Sequence, residues 1–353
     1  MQDSLHQLIG STLEPLSKLV CTALITLIKI KKNNAAFYHK KTGFNKYFVI
    51  DNRYPLTKFM DKDNGTDNIK TIKTYDFEAL YTSIPQPKLK DAMHIFVKSI
   101  FKMKNKGFIS VSGINTWLTR TKSKKVASFS CNQFIDCIFY LIENSYVFFK
   151  NALYKQVIGI PMGISCGPQL ANIFLHVYEE YCIDNLLENG NVNLAGDLSN
   201  IFRYQDDCAV LNDSGTFDFL YRHTYPIDMV LKGTNISSNN TNYLDLNIHV
   251  IENKFVYKSY DKRNDFPFQV INYPDIKGNL PVAPTYGIFT SQLIRFCDIN
   301  NKVENFKEDV NLLVQKLLQQ NFDMAVLKYK YNQFCRDKIE DWAKFGVDIS
   351  NFV

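Results

Sequence analysis

Three carboxylates sit inside otherwise apolar, strand-like segments, and they constrain this chain more than any other feature. The pattern predicts a β-strand over residues 70–77 that ends near Asp76, with Ile72 and Thr74 on the same face as the acid. Residues 201–211 are apolar at both ends, with Gln205, Asp206 and Asp207 in the middle, which reads as strand, tight acidic turn, strand. An acid in an apolar strand is costly unless something neutralises it. A divalent metal is one solution, because Mg²⁺ is commonly held by one or two carboxylates plus substrate phosphates. Neighbours along a strand point to opposite faces, so Asp206 is assigned as the partner of Asp76, with Asp207 a weaker or outer ligand. Each piece alone is ordinary. An Asp-Asp pair is common turn chemistry, and an Asp ending a strand usually caps the next element.

The chain has 353 residues, 46% apolar and 22% charged, enough for two or three subdomains with a real core. Its net charge of +6 hides an asymmetry. Residues 1–130 carry 22 basic and 9 acidic residues, and residues 131–353 carry 19 and 26, balances of +13 and −7. The first part is therefore expected to attract polyanions. The eight cysteines are scattered without zinc spacing, which argues against a structural zinc or a disulfide framework and points to a reducing, intracellular compartment. The most apolar run, Leu19 to Ile30, is too short for the roughly 20 residues of a membrane span and reads as a core helix. The N-terminus is not a signal peptide, and no membrane partner is expected.

Helical spacing covers residues 12–32, a helix is expected near 88–103 after Pro85 and Pro87, and another over 132–145. Two strand-like runs between Tyr146 and Gly159, around Lys150-Asn151, suggest a hairpin. Pro161-Met162-Gly163 reads as a turn. A helix over 166–187 should follow, N-capped by Ser165, with Leu170, Ile173, Phe174, Val177, Tyr178 and Tyr181 on one apolar face. Ser237 to Asn242 reads as a polar loop, further strands fall between Tyr243 and Tyr260, and helical spacing returns over 290–345. No acid occurs between Asp91 and Asp136, a span that holds Lys98, Lys102, Lys104, Lys106, Arg120, Lys122, Lys124 and Lys125. That stretch suits phosphate contacts, with Phe108 and Trp117 available for stacking; a solvated insertion loop is the other reading.

The order of the pieces carries more information than any one of them. Asp-Phe-Glu-Ala-Leu-Tyr (76–81) is followed by Gly-Ile-Pro-Met-Gly-Ile-Ser-Cys-Gly-Pro-Gln-Leu-Ala-Asn (159–172), then by Tyr-Gln-Asp-Asp (204–207). In this the sequence resembles the reverse transcriptases, whose palm motifs A, B and C occur in that order. It is more similar still to the Penelope-like, telomerase-related branch, through residues 77–85, 159–163, Tyr-Asp-Lys-Arg-Asn-Asp-Phe (260–266) and Tyr-Gly-Ile-Phe-Thr-Ser-Gln-Leu-Ile-Arg (286–295). The resemblance covers residues 13–345.

The resemblance implies an α+β fold: a right-hand polymerase palm with antiparallel sheet and helices over 71–270, a basic insertion at 98–130, partial fingers over 1–70 and a helical thumb over 271–353. It implies RNA-directed DNA polymerase activity of retroelement origin, with two Mg²⁺ ions (Mn²⁺ as the alternative), dNTPs and a primed RNA or DNA template. Two such ions, about 3.5–4 Å apart, can activate the attacking 3′ hydroxyl and stabilise the leaving pyrophosphate. Asp76 and Asp206 match the metal-binding aspartates, with Asp207 beside them and the Phe77 carbonyl as an extra ligand. Tyr81 matches the aromatic under the sugar that excludes a 2′ hydroxyl. Gly163 and Ser165 fall where backbone approaches the nascent base pair and template. Lys232 lies near a lysine that faces the pyrophosphate.

The chain departs from the family at Ile164 and Gly167, where Thr and Ala are common, and at Gln205, where an apolar residue is usual. Relatives place a basic fingers segment before the matched region, whereas Met1 to Thr12 holds no Lys or Arg, so truncated fingers are expected. The alternative reading is a catalytically inactive nucleic-acid-binding remnant of a reverse transcriptase. A metal-dependent nuclease using the same acids is a third, lacking the usual His or Lys near Asp76.

Overall fold

The computed structural model describes residues 13–149, 152–160, 163–268 and 270–350. Met1 to Thr12, the hairpin tip Lys150-Asn151, and Pro161 and Met162 of the expected turn lie outside them. Twelve strands occur among the described residues: β1 Ile72–Phe77, β2 Phe108–Ser112, β3 Asn115–Thr119, β4 Ala127–Ser130, β5 Tyr146–Phe149, β6 Ala152–Lys155, β7 Ile201–Tyr204, β8 Asp207–Leu211, β9 Leu231–Gly233, β10 Asn240–Tyr243, β11 Leu246–Ile251 and β12 Lys254–Ser259. The chain divides into two compact units, one of residues 1–52 and 75–233, the other of 53–74 and 234–353.

The first unit is built on a four-stranded sheet in the order β7-β8-β1-β9. Its helices include Glu14–Thr42, Gln86–Lys104, Cys131–Glu143 and Gly167–Glu188, and the last three pack on one another through Gln86–Lys104. Glu14–Thr42 contains the apolar run and buries Val20, Ala23, Leu24 and Leu27 completely. Burial of a side chain the size of valine or leucine contributes about 1.5–3 kcal/mol. No described helix is long and apolar enough to cross a membrane. Cys131–Glu143 starts on a complete capping box, Ser130 and Gln133 satisfying each other's backbone N–H groups.

Gly167–Glu188 differs from the one-faced helix expected. Leu170, Ala171, Ile173, Phe174, Leu175, His176, Glu179 and Ile183 are all buried, so the sheet and the neighbouring helices cover it nearly all round, while Tyr181 is 70% exposed. Ser165 is not its N-cap. Cys166 holds that position without a side-chain cap, and the Ser165 N–H instead donates to Ser17 Oγ at 2.7 Å. Pro168 does sit in the first turn, where its missing N–H costs nothing. The basic insertion is not a loop throughout: β3-β2-β4 form an antiparallel sheet, and Ile109 and Ser110 on its central strand are both buried.

In the second unit β10, β11 and β12 form an antiparallel sheet, and helices Val282–Ile299, Val303–Leu318 and Met324–Asp337 share a core around Phe289, Leu293, Phe306, Val310, Leu317 and Phe334. The polar stretch 237–242 is a loop only at its start. Asn240–Tyr243 is β10, held by Asn247 Nδ2, which donates to both Asn240 and Asn242, and by buried Thr241, which shares a hydrogen bond with Thr74. Side-chain ladders of this kind compensate for the weak strand propensity of asparagine.

Candidate active site

The acids lie in the first unit. β7 and β8 form a hairpin closed by the Tyr204–Asp207 pair, which leaves Gln205 and Asp206 as its two-residue turn. Gln205 takes a left-handed φ of 53°, as tight hairpin turns require. The central observation joins this turn to β1: the Phe77 N–H donates to the Asp206 carbonyl at 3.1 Å. Asp76 and Asp206, 130 positions apart in the chain (206 − 76), are thereby on adjacent backbone segments. In a strand the N–H and C=O of one residue leave from the same edge, so the Phe77 carbonyl also faces the acidic turn. The Phe77 ring is buried edge-on against Tyr225, centroids 4.9 Å apart.

Both faces of β1 are covered, since Ile72, Thr74, Tyr75 and Phe77 are all buried, and Asp76 is half-buried among them. Asp206 and Asp207 are half-buried as well. Asp207 opens β8 and pairs with Tyr204, one position beyond the turn that holds Asp206. Among the described residues no three His, Cys, Asp or Glu side chains converge to cage an ion. The candidate donors on these adjacent segments are two carboxylates and a carbonyl, all hard oxygens. That set suits Mg²⁺, which takes one or two protein carboxylates and fills its other positions with water and phosphate.

The other candidates surround this pair. Lys232 on β9 is the Cα partner of Asp76, and its Nζ lies 2.8 Å from Glu78 Oε1, both side chains mostly exposed. Tyr81 follows β1 in the short helix Leu80–Ser83, and its hydroxyl donates to Gln205 Oε1 at 3.1 Å. Burial, and then the Asp206 charge, raise the Tyr81 hydroxyl above its ordinary value, so it keeps its proton and stays a donor. Gly163 and Ser165 are exposed, Gly163 with φ 101°, a conformation open to glycine and strained for other residues.

Lys98, Lys102, Lys104, Lys106, Arg120, Lys122, Lys124 and Lys125 lie on the end of helix Gln86–Lys104, the turn after it and the connection from β3 to β4. All but the half-buried Lys106 are exposed, and none is in an ion pair among the described residues. Trp117 is 40% exposed on β3 and Phe108 half-buried on β2. Residues 260–266 belong to the second unit. There Arg263 pairs with Asp261, and Phe266 stacks on Phe268 beside a cavity of about 400 Å³ that Lys316 also lines.

Sequence reasoning missed the support of the acidic turn. Arg203 is fully buried. Its Nε donates to Glu179 Oε1 at 2.6 Å, and a terminal nitrogen donates to Asn172 Oδ1 at 2.8 Å and to the Gln205 carbonyl at 2.9 Å. Tyr225 donates to the same glutamate at 3.0 Å. Burial alone would lower the Arg203 pKa, but Glu179 outweighs it and the guanidinium stays charged. The signal was the same as for the acids, a charge inside an apolar strand (Ile-Phe-Arg-Tyr, 201–204), with Asn172 and Glu179 seven positions apart on one helix face. Gly159, the first residue of the motif B block, has its reason in packing. Its φ is 81°, and a Cβ there would lie 2.6 Å from the Tyr81 carbonyl oxygen.

No family model matches the sequence, and no curated protein matches it. Solved structures do. Telomerase from Candida albicans, in complex with a TWJ fragment of telomeric RNA, superposes with a TM-score of 0.58 at 13% identity, over 96% of this chain and 54% of that one. Apo telomerase from Candida tropicalis gives 0.50 at 15% identity, over 92% and 55%. The chain thus spans about half the length of these structures. The likeness shows the fold, which is reverse-transcriptase-like, a mixed helical and antiparallel-sheet architecture of the polymerase palm and thumb kind.

Proposed function

We propose that the chain is an RNA-directed DNA polymerase domain of the Penelope-like branch, which adds deoxynucleotides from dNTPs to a primer 3′ hydroxyl. The observation that supports it most is the backbone hydrogen bond from Phe77 to Asp206, which sets the two distant, acid-bearing motif segments next to each other in a reverse-transcriptase-like fold. Asp76, Asp206 and the Phe77 carbonyl would hold two Mg²⁺ ions, with Asp207 outside them. When bound, such ions supply activation of the attacking hydroxyl and neutralisation of the leaving pyrophosphate.

The remaining work falls to the chain's own groups. Tyr81 presents its ring beside the acids and limits space at the sugar. Gly163 and Ser165 leave exposed backbone where a base pair can approach. Lys232, opposite Asp76, supplies positive charge for phosphate oxygens on exchanging its Glu78 partner. The lysines and Arg120 of the insertion contact the backbone of a primed RNA or DNA template, as the RNA-bound Candida albicans telomerase suggests by analogy. A retroelement origin goes with this reading.

Primer extension on a primed RNA template with dNTPs and Mg²⁺ tests it. Extension by the native chain and none by Asp206→Ala is the expected result. The second reading, a binding remnant without catalysis, is favoured by the exposed basic insertion, which can hold a phosphate backbone whether or not the acids bind metal. It wins if neither protein extends while both bind duplex with equal salt dependence.

A further inference from the structure

Gln205 sits in the two-residue turn of the acidic hairpin, and its side chain is engaged. Resting on the polymerase reading, we propose that Gln205 is a positioning residue for sugar selection: its side-chain oxygen latches the Tyr81 ring to the acidic turn.

Tyr81 is held at both ends. Its carbonyl accepts from the Ile160 N–H at 2.6 Å, while the Gly159 N–H donates to the Ile84 carbonyl at 2.8 Å, bracketing the short helix that carries Tyr81. A Cβ at Gly159 would meet the Tyr81 carbonyl at 2.6 Å and the Thr82 Cα at 2.9 Å, so the two backbones touch without slack. At the far end the hydroxyl reaches Gln205 Oε1 at 3.1 Å. Gln205 is itself fixed, its φ at 53° and its carbonyl held by Arg203 at 2.9 Å. The ring is therefore tied to the turn that carries Asp206. It cannot swing away without breaking a hydrogen bond in a half-buried place.

A steric filter works only as far as it is stiff. If a 2′ hydroxyl could push the ring aside at little cost, discrimination between deoxy- and ribonucleotides would fall. Gln205→Met keeps the length of the side chain, but its thioether accepts hydrogen bonds only weakly. Phenylalanine at 81 removes the donor and keeps the ring. If the bond merely satisfies a hydroxyl, both changes alter stability and leave selection alone.

The test is single-nucleotide extension by the full chain with a dNTP and the matching rNTP, comparing kcat/KM ratios. Gln205→Met and Tyr81→Phe are each expected to lower the dNTP preference roughly three- to ten-fold, the worth of one neutral hydrogen bond. The double variant should lose no more than either single one, because both remove the same bond. Native discrimination in Gln205→Met and Tyr81→Phe, alongside its loss in Tyr81→Ala, overturns the latch and leaves the polymerase reading standing. A native chain that extends nothing overturns the polymerase reading, and the latch with it. If Gln205→Met fails to fold, Tyr81→Phe decides the question alone.

Discussion

At the residue scale, position within the hairpin separates two adjacent acids. Asp206 occupies the turn that meets Phe77, and Asp207 begins the returning strand. Asp206→Asn is therefore expected to abolish extension, whereas Asp207→Asn lowers kcat by a smaller factor, on the order of ten- to a hundred-fold, read from steady-state kinetics. His176 offers a test independent of activity. It is fully buried between the rings of Tyr47 and Phe96, and neither ring nitrogen has a hydrogen-bond partner, Glu180 lying 3.9 Å away. Burial, and then the charges of Lys31 and Arg203, hold its pKa well below the ordinary value of 6.5. The folded state thus refuses a proton that the unfolded state accepts. Its contribution is complete above pH 6.5 and is lost as pH falls from there toward the folded pKa, by up to about 1.4 kcal/mol per pH unit. Urea unfolding of the native chain should show this slope, and His176→Phe should flatten it without loss of stability at pH 7.5. A parallel slope in the variant would contradict the assignment.

At the element scale, the β7–β8 hairpin is fastened to helix Gly167–Glu188 by one buried ion pair. Glu179→Gln leaves the Arg203 charge uncompensated where water cannot reach it. Loss of about 3–5 kcal/mol in denaturant unfolding is expected, against under 1 kcal/mol for the exposed pair Lys232–Glu78. On the proposed reading, the β3-β2-β4 insertion would carry the salt-dependent binding. Replacing Lys122, Lys124 and Lys125 with Gln should flatten the plot of log affinity against log salt by about 0.7–0.9 for each phosphate no longer neutralised. An unchanged slope would make that sheet a solvated surface. The elements themselves were readable where periodicity was strong, as in helices Gln86–Lys104 and Cys131–Glu143 and in the acidic hairpin. Reading failed where tertiary partners overrode local preference. Ser17 claims the backbone of Ser165, so capping passes to Cys166, and asparagine ladders make a strand of 240–243.

At the scale of the whole molecule, the reverse-transcriptase-like fold was legible because three motif blocks kept their order across the chain. The adjacency of Asp76 and Asp206 was legible because an acid in an apolar strand demands a reason. The buried supports were not. Arg203, Glu179, Asn172 and Gly159 act through long-range contacts that leave no local pattern, although a charged residue amid apolar neighbours at 203 was open to the same reasoning. The charge asymmetry along the chain does not carry over to the compact units: residues 1–52 and 75–233 hold 22 basic and 18 acidic residues, the rest 19 and 17, because the acid-free span 92–135 lies within the unit that holds the acids.

Iron-directed cleavage tests the central claim most directly. Fe²⁺ taken up in place of Mg²⁺, with ascorbate and peroxide, cuts the backbone beside the bound ion, and mass spectrometry locates the cuts. The account predicts paired cuts next to Asp76 and next to residues 205–207, competed by Mg²⁺ and absent from Asp206→Ala. Cuts at only one of these segments, or a pattern unchanged in Asp206→Ala, would contradict it.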